Sequence, residues 1–208
     1  MVARYLNCVE RLELMKLNNT DLAGILDFLR GAEQLKNTLR TSTTSNGRVE
    51  STAEHTWRLC LMIMLFEKAY LNIDMLRLLK ICIIHDLGEA ICGDIAAVDQ
   101  IDSTDKGAEE RKGLESLINP LTDSLKSEIL ELWDEYENAL SDEAILAKAF
   151  DKLETVLQHT QGKNPPDFNY DFNLTYGKKY TDLDEVTSKL RALIDLDTKR
   201  LAERNSLV

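Results

Sequence analysis

In Met75-Leu76-Arg77-Leu78-Leu79-Lys80-Ile81-Cys82-Ile83-Ile84-His85-Asp86-Leu87-Gly88-Glu89, an almost unbroken apolar run ends in two ionisable residues. Asp74 stands before it as an N-cap, because its short carboxylate can accept from the free N–H groups of a first turn. A helix that is apolar on nearly every side must be covered on nearly every side. The spacing therefore predicts a central helix from Met75 to about His85–Gly88. A short helical piece, 89–92, then leads to Gly93-Asp94. Burying an ionisable pair is costly unless something compensates it, and a metal ion is one such partner for His85 and Asp86.

The flanking sequence reads as more helices. Ser51-Thr52-Ala53-Glu54 fits a capping box, in which Ser51 caps and Glu54 reaches back. It opens a helix to about Leu71 and places His55 in the first turn. Residues 21–39 read as a helix with the stripe Leu22, Ile25, Leu26, Phe28 and Leu29. Residues 40–50 have the turn chemistry of a polar loop, 97–105 form an acidic loop, and 106–118 a helix. Asn119-Pro120 suits a helix start for a segment to about Leu140, whose Glu128, Glu131, Asp134, Glu135 and Glu137 read as a solvated face. Ser141 caps a helix to about Gln161. Residues 162–182, rich in Gly, Pro, Asn and aromatics, form an ordered excursion, and a last helix spans about 184–203. No segment alternates as a strand does, so the class is all-α.

The 208 residues suffice for one domain. Nine Gly and three Pro favour helices over a turn-rich β protein. A net charge of −11 argues against nucleic-acid polymers and anionic membranes as partners. The longest apolar run, Leu59 to Phe66, is too short to span a bilayer. Residues 1–19 carry charges of both signs and no signal-peptide core. Cys8, Cys60, Cys82 and Cys92 form no C-x-x-C pair and read as buried free thiols in a reducing compartment. The expected location is the cytoplasm.

Two imidazoles, His55 and His85, and two carboxylates, Asp86 and Asp151, form a donor set suited to a divalent metal. Adjacent helical residues point about 100° apart, so His85 and Asp86 share an ion only if it lies off the end of their helix. Asp151, by itself, reads as a partly exposed or ion-paired residue at the edge of the stripe Ile145, Leu146, Phe150, Leu153 and Leu157. Glu154 and Gln158 share that edge.

Four segments together carry a resemblance: Arg48-Val49-Glu50-Ser51-Thr52-Ala53-Glu54-His55, His85-Asp86-Leu87-Gly88-Glu89-Ala90, Gly93-Asp94 and Asp151-Lys152-Leu153-Glu154. In this order they resemble the HD-domain metal-dependent phosphohydrolases, within them the 5′-deoxynucleotidase subgroup, over roughly residues 22–160. The resemblance implies a helical HD-domain bundle with a core at about 22–160, on which residues 162–208, ending in an additional C-terminal helix, pack. It implies His55, His85, Asp86 and Asp151 as ligands of one divalent ion (Mn, Co, Mg, Fe, Ni or Zn). Glu89 becomes the proton-transfer group, Asp94 a helper that positions water or contacts the sugar, and Arg40 and Arg48 the phosphate-binding cations. The implied reaction hydrolyses a (deoxy)nucleoside 5′-monophosphate to nucleoside and phosphate, and similar proteins imply a homodimer.

One position departs from the subgroup. Its prototype has an aromatic residue after the arginine matched by Arg40, and this chain has Thr41, which opens the choice of sugar. Other HD enzymes cleave triphosphates or cyclic nucleotides. Two-metal members need further histidines, and this chain has three in all. A non-catalytic metal-binding helical module is the remaining alternative. His159 reads as a packed or surface histidine and Trp57 as core. Lys152 reads first as an ion-pair partner of Glu154 or Glu54. The aromatics of 162–180 either pack the excursion down or help cover a substrate.

Overall fold

The computed structural model describes residues 17–94 and 106–205. Residues 1–16 of the segment read above at 1–19, the whole of 97–105, and Cys8 lie outside them. In chain order the elements are α1 (Asn19–Ala32), a 3-10 turn (Glu33–Lys36), β1 (Leu39–Thr43), β2 (Val49–Ser51), α2 (Thr52–Phe66), a second 3-10 turn (Glu67–Ala69), α3 (Met75–Ile84) and α4 (Glu89–Cys92). Then come α5 (Lys106–Ile118), α6 (Asp123–Asn138), α7 (Asp142–Gln161), α8 (Tyr170–Asn173), α9 (Lys178–Thr181) and α10 (Glu185–Asn205). The class is all-α, with one two-stranded hairpin.

The centre of the bundle is shared by α3 and α7. α3 packs on α2, α6 and α7, while α7 also meets α10 and α9. Leu78, Ile81 and Cys82 of α3 are fully buried, with Leu59 and Ile63 from α2, Trp133 from α6 and Phe150, Leu153 and Val156 from α7. α3 is nevertheless open on one side, where Leu76 and Ile83 are exposed. Asp74 accepts from the Arg77 N–H at 3.0 Å, Ser141 accepts from Ala144 N–H at 3.0 Å, and Ser51 and Glu54 close the capping box of α2.

Several expectations are corrected. Residues 40–50 are not a plain loop. β1 and β2 pair antiparallel, with Leu39 opposite Ser51 and Thr43 opposite Val49. The hairpin holds because it is laid on α7, where Gln158 Nε2 donates to the Thr43 carbonyl. The helix expected from Asn119-Pro120 begins at Asp123 instead, since Pro120 lies in a turn whose carbonyl abuts Gly24: a Cβ there would fall 2.1 Å from that oxygen. The same contact rotates α1. A small-residue face of Gly24 and Gly31 meets α5 and the Pro120 turn. Ile25 and Phe28 pack inward, and Leu22, Leu26 and Leu29 are exposed.

The acidic face of α6 is not simply solvated. Glu135 is buried, paired with Arg77 and the Ser141 hydroxyl, and Asp134 pairs with Arg111 at 3.0 Å. Trp57 is 65% exposed rather than core, and Cys92 is exposed, while Cys60 is half-buried and Cys82 buried. The 162–182 excursion contains the one-turn helices α8 and α9. Arg191 of α10, buried against them, donates to the carbonyls of Asn173 and Tyr176 and pairs with Asp195. Among the described residues, no helix is long and apolar enough to cross a membrane.

Candidate metal centre and active site

The capping box of α2 turns His55 inward, the end of α3 delivers His85 and Asp86, and the middle of α7 delivers Asp151. One donor atom from each of His55, His85 and Asp86 lies within 4.8 Å of the others. Asp86 Oδ2 is 3.0 Å from His85 Nε2 and 4.0 Å from His55 Nε2, and Asp151 Oδ1 is 3.2 Å from His55 Nε2. His55 Nε2, His85 Nε2 and Asp86 Oδ2 are buried with no hydrogen-bond partner. Orphaned buried polar atoms are costly, and three converging on one point fit a cation of the kind that imidazole and carboxylate bind. These three residues therefore fit the metal that the sequence implied, and Asp151 stands beside them against His55.

The residues behind the ligands fix their chemistry. His55 Nδ1 hydrogen-bonds to Glu154 Oε2, and His85 Nδ1 to the Cys82 carbonyl at 2.7 Å. With a proton on each Nδ1, both Nε2 lone pairs face the site. Asp151 Oδ2 accepts from the Tyr136 hydroxyl at 2.7 Å and from Lys152 Nζ at 2.9 Å, which leaves Oδ1 turned toward His55. Lys152 thus pairs with Asp151, not with Glu154 or Glu54. Tyr136 also sets its ring edge-on against His85, with centroids 4.9 Å apart.

The electrostatics favour positive charge at this point. Burial and Arg40 press the pKa of His55 down, but Glu154 and Asp151 carry it up to about 9. Burial works against ionisation of Asp86 and Asp151, yet His85 and His55 hold Asp86 well below the carboxylate range, and Lys152 and the two histidines do so for Asp151. Glu89, by contrast, is buried beside Asp86 and Asp94, and burial first and those charges second push it up to about 10. Thr52 Oγ1 donates to it at 3.0 Å.

These groups stand at one end of a cavity of about 1100 Å³, lined there by Arg40, His85, Asp86, Glu89, Asp94 and Asp151. Arg40 reaches over the centre: Nη1 is 3.8 Å from Asp86 Oδ2, Nη2 donates to Thr155 Oγ1 at 3.2 Å, and Nε is buried 3.8 Å from Glu50 Oε2. Thr41 lies on the wall. Arg48 does not line the cavity. It is paired on the surface with Glu54, Nη2 to Oε1 at 2.7 Å. His159, read as packed or surface, is packed between Ser42, Asn173 and Phe168, and it also lines the cavity wall. Sequence reasoning missed Tyr136, which no local pattern signals. It placed Glu154 at the edge of the stripe and as a partner of Lys152, not behind His55, although Glu154 follows Asp151 by three positions and so shares its helix face.

A helical bundle that gathers two histidines and an aspartate, with a second aspartate beside them, under a large cleft is the architecture of the HD-domain phosphohydrolases. The chain belongs to that family: residues 32–191 match its HD domain model. It is 34% identical over 173 residues to the 5′-deoxynucleotidase HDDC2 of Xenopus laevis, covering 80% of this chain and 85% of that protein. It is 35% identical over 139 residues to the human protein of the same name, covering 66% and 67%. A solved structure titled as a "predicted metal-dependent phosphohydrolase" from Magnetospirillum magnetotacticum superposes with a TM-score of 0.73 at 26% identity, covering 90% of this chain and 97% of that one.

Proposed function

We infer that the protein hydrolyses nucleoside 5′-monophosphates to nucleoside and inorganic phosphate, with one divalent ion held by His55, His85, Asp86 and Asp151. The convergence of three orphaned buried donors at the floor of the cavity carries this reading, and relatives named 5′-deoxynucleotidase support the substrate class. When bound, the ion supplies Lewis-acid polarisation of the phosphate and activation of water. Arg40, held by Thr155, with Nε 3.8 Å from the buried Glu50 carboxylate and ringed by Asp86, Asp94, Asp151 and Glu154, stays charged and offers its guanidinium to a phosphate oxygen. Glu89, buried beside Asp86 and Asp94 and held by the Thr52 hydroxyl, is the group that exchanges a proton with the reacting oxygens. Asp94, on the same wall, orients water or the sugar.

A single ion suits the histidine inventory, since the third histidine is occupied by Ser42 and Asn173. Mn, Co, Mg, Fe, Ni and Zn all accept such ligands. Thr41 is too small to press on a ribose 2′-hydroxyl, which supports acceptance of both sugars. The packing of α10 on α7 supports one folding unit. The exposed stripe Trp57, Leu61, Met64 and Leu65 on α2 supports a homodimer, and the free thiols a reducing cytoplasm. The test is phosphate release from a panel of ribo- and deoxyribonucleoside mono-, di- and triphosphates with each metal. Release confined to monophosphates is expected, and release from triphosphates alone would overturn the reading.

A further inference from the structure

Arg40 on β1 and Glu50 on β2 face each other across the hairpin, just inside the Leu39–Ser51 pair. Their side chains are 13% and 6% exposed, and Arg40 Nε is 3.8 Å from Glu50 Oε2. Among the described residues neither atom has a hydrogen bond. The two form an ion pair, one small turn of the side chains short of a direct bond. Burial first, and then Glu154, raise the pKa of Glu50, while Arg40, His55 and Arg58 lower it. A buried charge of this kind needs its partner. Arg40 lines the cavity and Glu50 does not. Glu50 therefore stands behind the guanidinium and acts on a substrate only through it.

The donors of Arg40 divide between holding and binding. A guanidinium carries its N–H groups in one rigid plane. Nη2 donates to Thr155 Oγ1 at 3.2 Å, and Nε faces Glu50. Nη1 points to the metal centre, 3.8 Å from Asp86 Oδ2. One hydrogen bond to Thr155 leaves the plane free to pivot, and a second hold at Nε stops it. The pull in the other direction is strong, because Asp86, Asp94, Asp151 and Glu154 all attract Arg40. With Glu50 neutral, Arg40 would be drawn further onto Asp86, whose Oδ2 is one of the orphaned donors at the candidate ion. The hairpin itself has a separate support, the bond from Gln158 to the Thr43 carbonyl.

We propose that Glu50 is a positioning residue for the reaction: from outside the cavity it holds the Nε side of Arg40, so that the Nη1 end meets the phosphate of the substrate. Glu50 thereby keeps Arg40 off Asp86 and available to the anion. This deepens the nucleotidase reading above and rests on the phosphate role given there to Arg40.

The test compares wild type, Glu50→Gln, which keeps the shape and removes the charge, Glu50→Asp, which keeps the charge on a shorter stem, Arg40→Met, and the Glu50→Gln/Arg40→Met double variant. Calorimetry measures Mn²⁺ affinity, and then inorganic phosphate affinity of the Mn²⁺-loaded protein; kinetics give kcat and KM for dAMP. Loss of one charged contact should weaken phosphate about tenfold in Glu50→Gln and raise KM in step, with Glu50→Asp between it and wild type and Mn²⁺ affinity unchanged. In the Arg40→Met background the same change should alter phosphate affinity by less than about twofold, since the two residues act as one unit. Unchanged phosphate affinity in Glu50→Gln would overturn the proposal. A further tenfold loss in the Arg40→Met background, or a matching loss of Mn²⁺ affinity, would show a structural role and overturn it too. Should Glu50→Gln fail to fold, the same readouts on Glu50→Asp decide, with wild-type phosphate affinity the overturning result. Wild type that binds inorganic phosphate but releases none from any nucleotide would overturn the nucleotidase reading alone, and wild type that binds no phosphate would overturn both.

Discussion

Replacing Glu154 by Gln keeps the shape of the side chain and removes its charge. Glu154 is fully buried on α7. One carboxylate oxygen takes His55 Nδ1 and the other takes Arg58 Nε at 2.5 Å. Glutamine has one acceptor oxygen for these two donors, so its amino group must oppose one of them. Set against His55, it forces the other tautomer, with Nδ1 accepting and the proton on Nε2, where the ring can no longer ligate. Set against Arg58, it leaves a partly buried guanidinium without that partner. Carboxylates behind a ligating histidine contribute about 10- to 100-fold in metal affinity, or about 1.4–2.7 kcal/mol. Calorimetric titration of Mn²⁺ into chelator-treated protein should show that loss. The metal concentration for half-maximal phosphate release should rise in step, with kcat at saturating metal near wild type. Unchanged metal affinity in Glu154→Gln would refute the tautomer argument.

Three further outcomes follow from the geometry. Arg40→Lys keeps the charge but not the fork, so kcat/KM should fall by about 10- to 100-fold, the range for a charged hydrogen bond, while metal binding by calorimetry stays intact; a parallel loss of metal would contradict a phosphate role. Gly88→Ala places a Cβ 2.3 Å from the Glu110 carbonyl oxygen, at the α4–α5 crossing just before Glu89. Overpacking there should cost about 1–3 kcal/mol and lower Tm by several degrees, with kcat falling too; a wild-type melt would refute the contact. The folded pKa of His159 lies near 4, below its ordinary 6.5, so the unfolded chain binds the proton first. Its contribution is full above about pH 6.5 and is lost as pH falls toward 4, to at most about 3 kcal/mol. In urea melts, His159→Gln should flatten that slope, and an identical slope would contradict it.

What the sequence made legible was local. Ser51, Asp74 and Ser141 cap their helices through bonds that span three residues, so the starts of α2, α3 and α7 could be read directly. The hairpin could not, because its supports on α7 lie more than a hundred residues away: Gln158 holds Thr43, and His159 holds Ser42. Trp57 looked like core from its chemistry, but the capping box that turns His55 inward turns Trp57 out. On α1, the leucines suggested one face and the glycines chose another. Asp151 showed the same limit at the site. Its spacing alone favoured an edge residue, and only the family pattern marked it as a ligand. The structure adds Tyr136, Lys152 and Glu154 as the groups that set its orientation and that of His55.

The central claim is that His55, His85, Asp86 and Asp151 hold the ion on which phosphate release depends. The most direct measurement is phosphate release from a deoxynucleoside 5′-monophosphate by chelator-stripped protein, before and after Mn²⁺ is restored, in wild type and Asp86→Ala. The account predicts no release from stripped protein, recovery in wild type on restoring metal, and neither recovery nor metal binding in a folded Asp86→Ala. Full release by the stripped protein, or by Asp86→Ala, would contradict it.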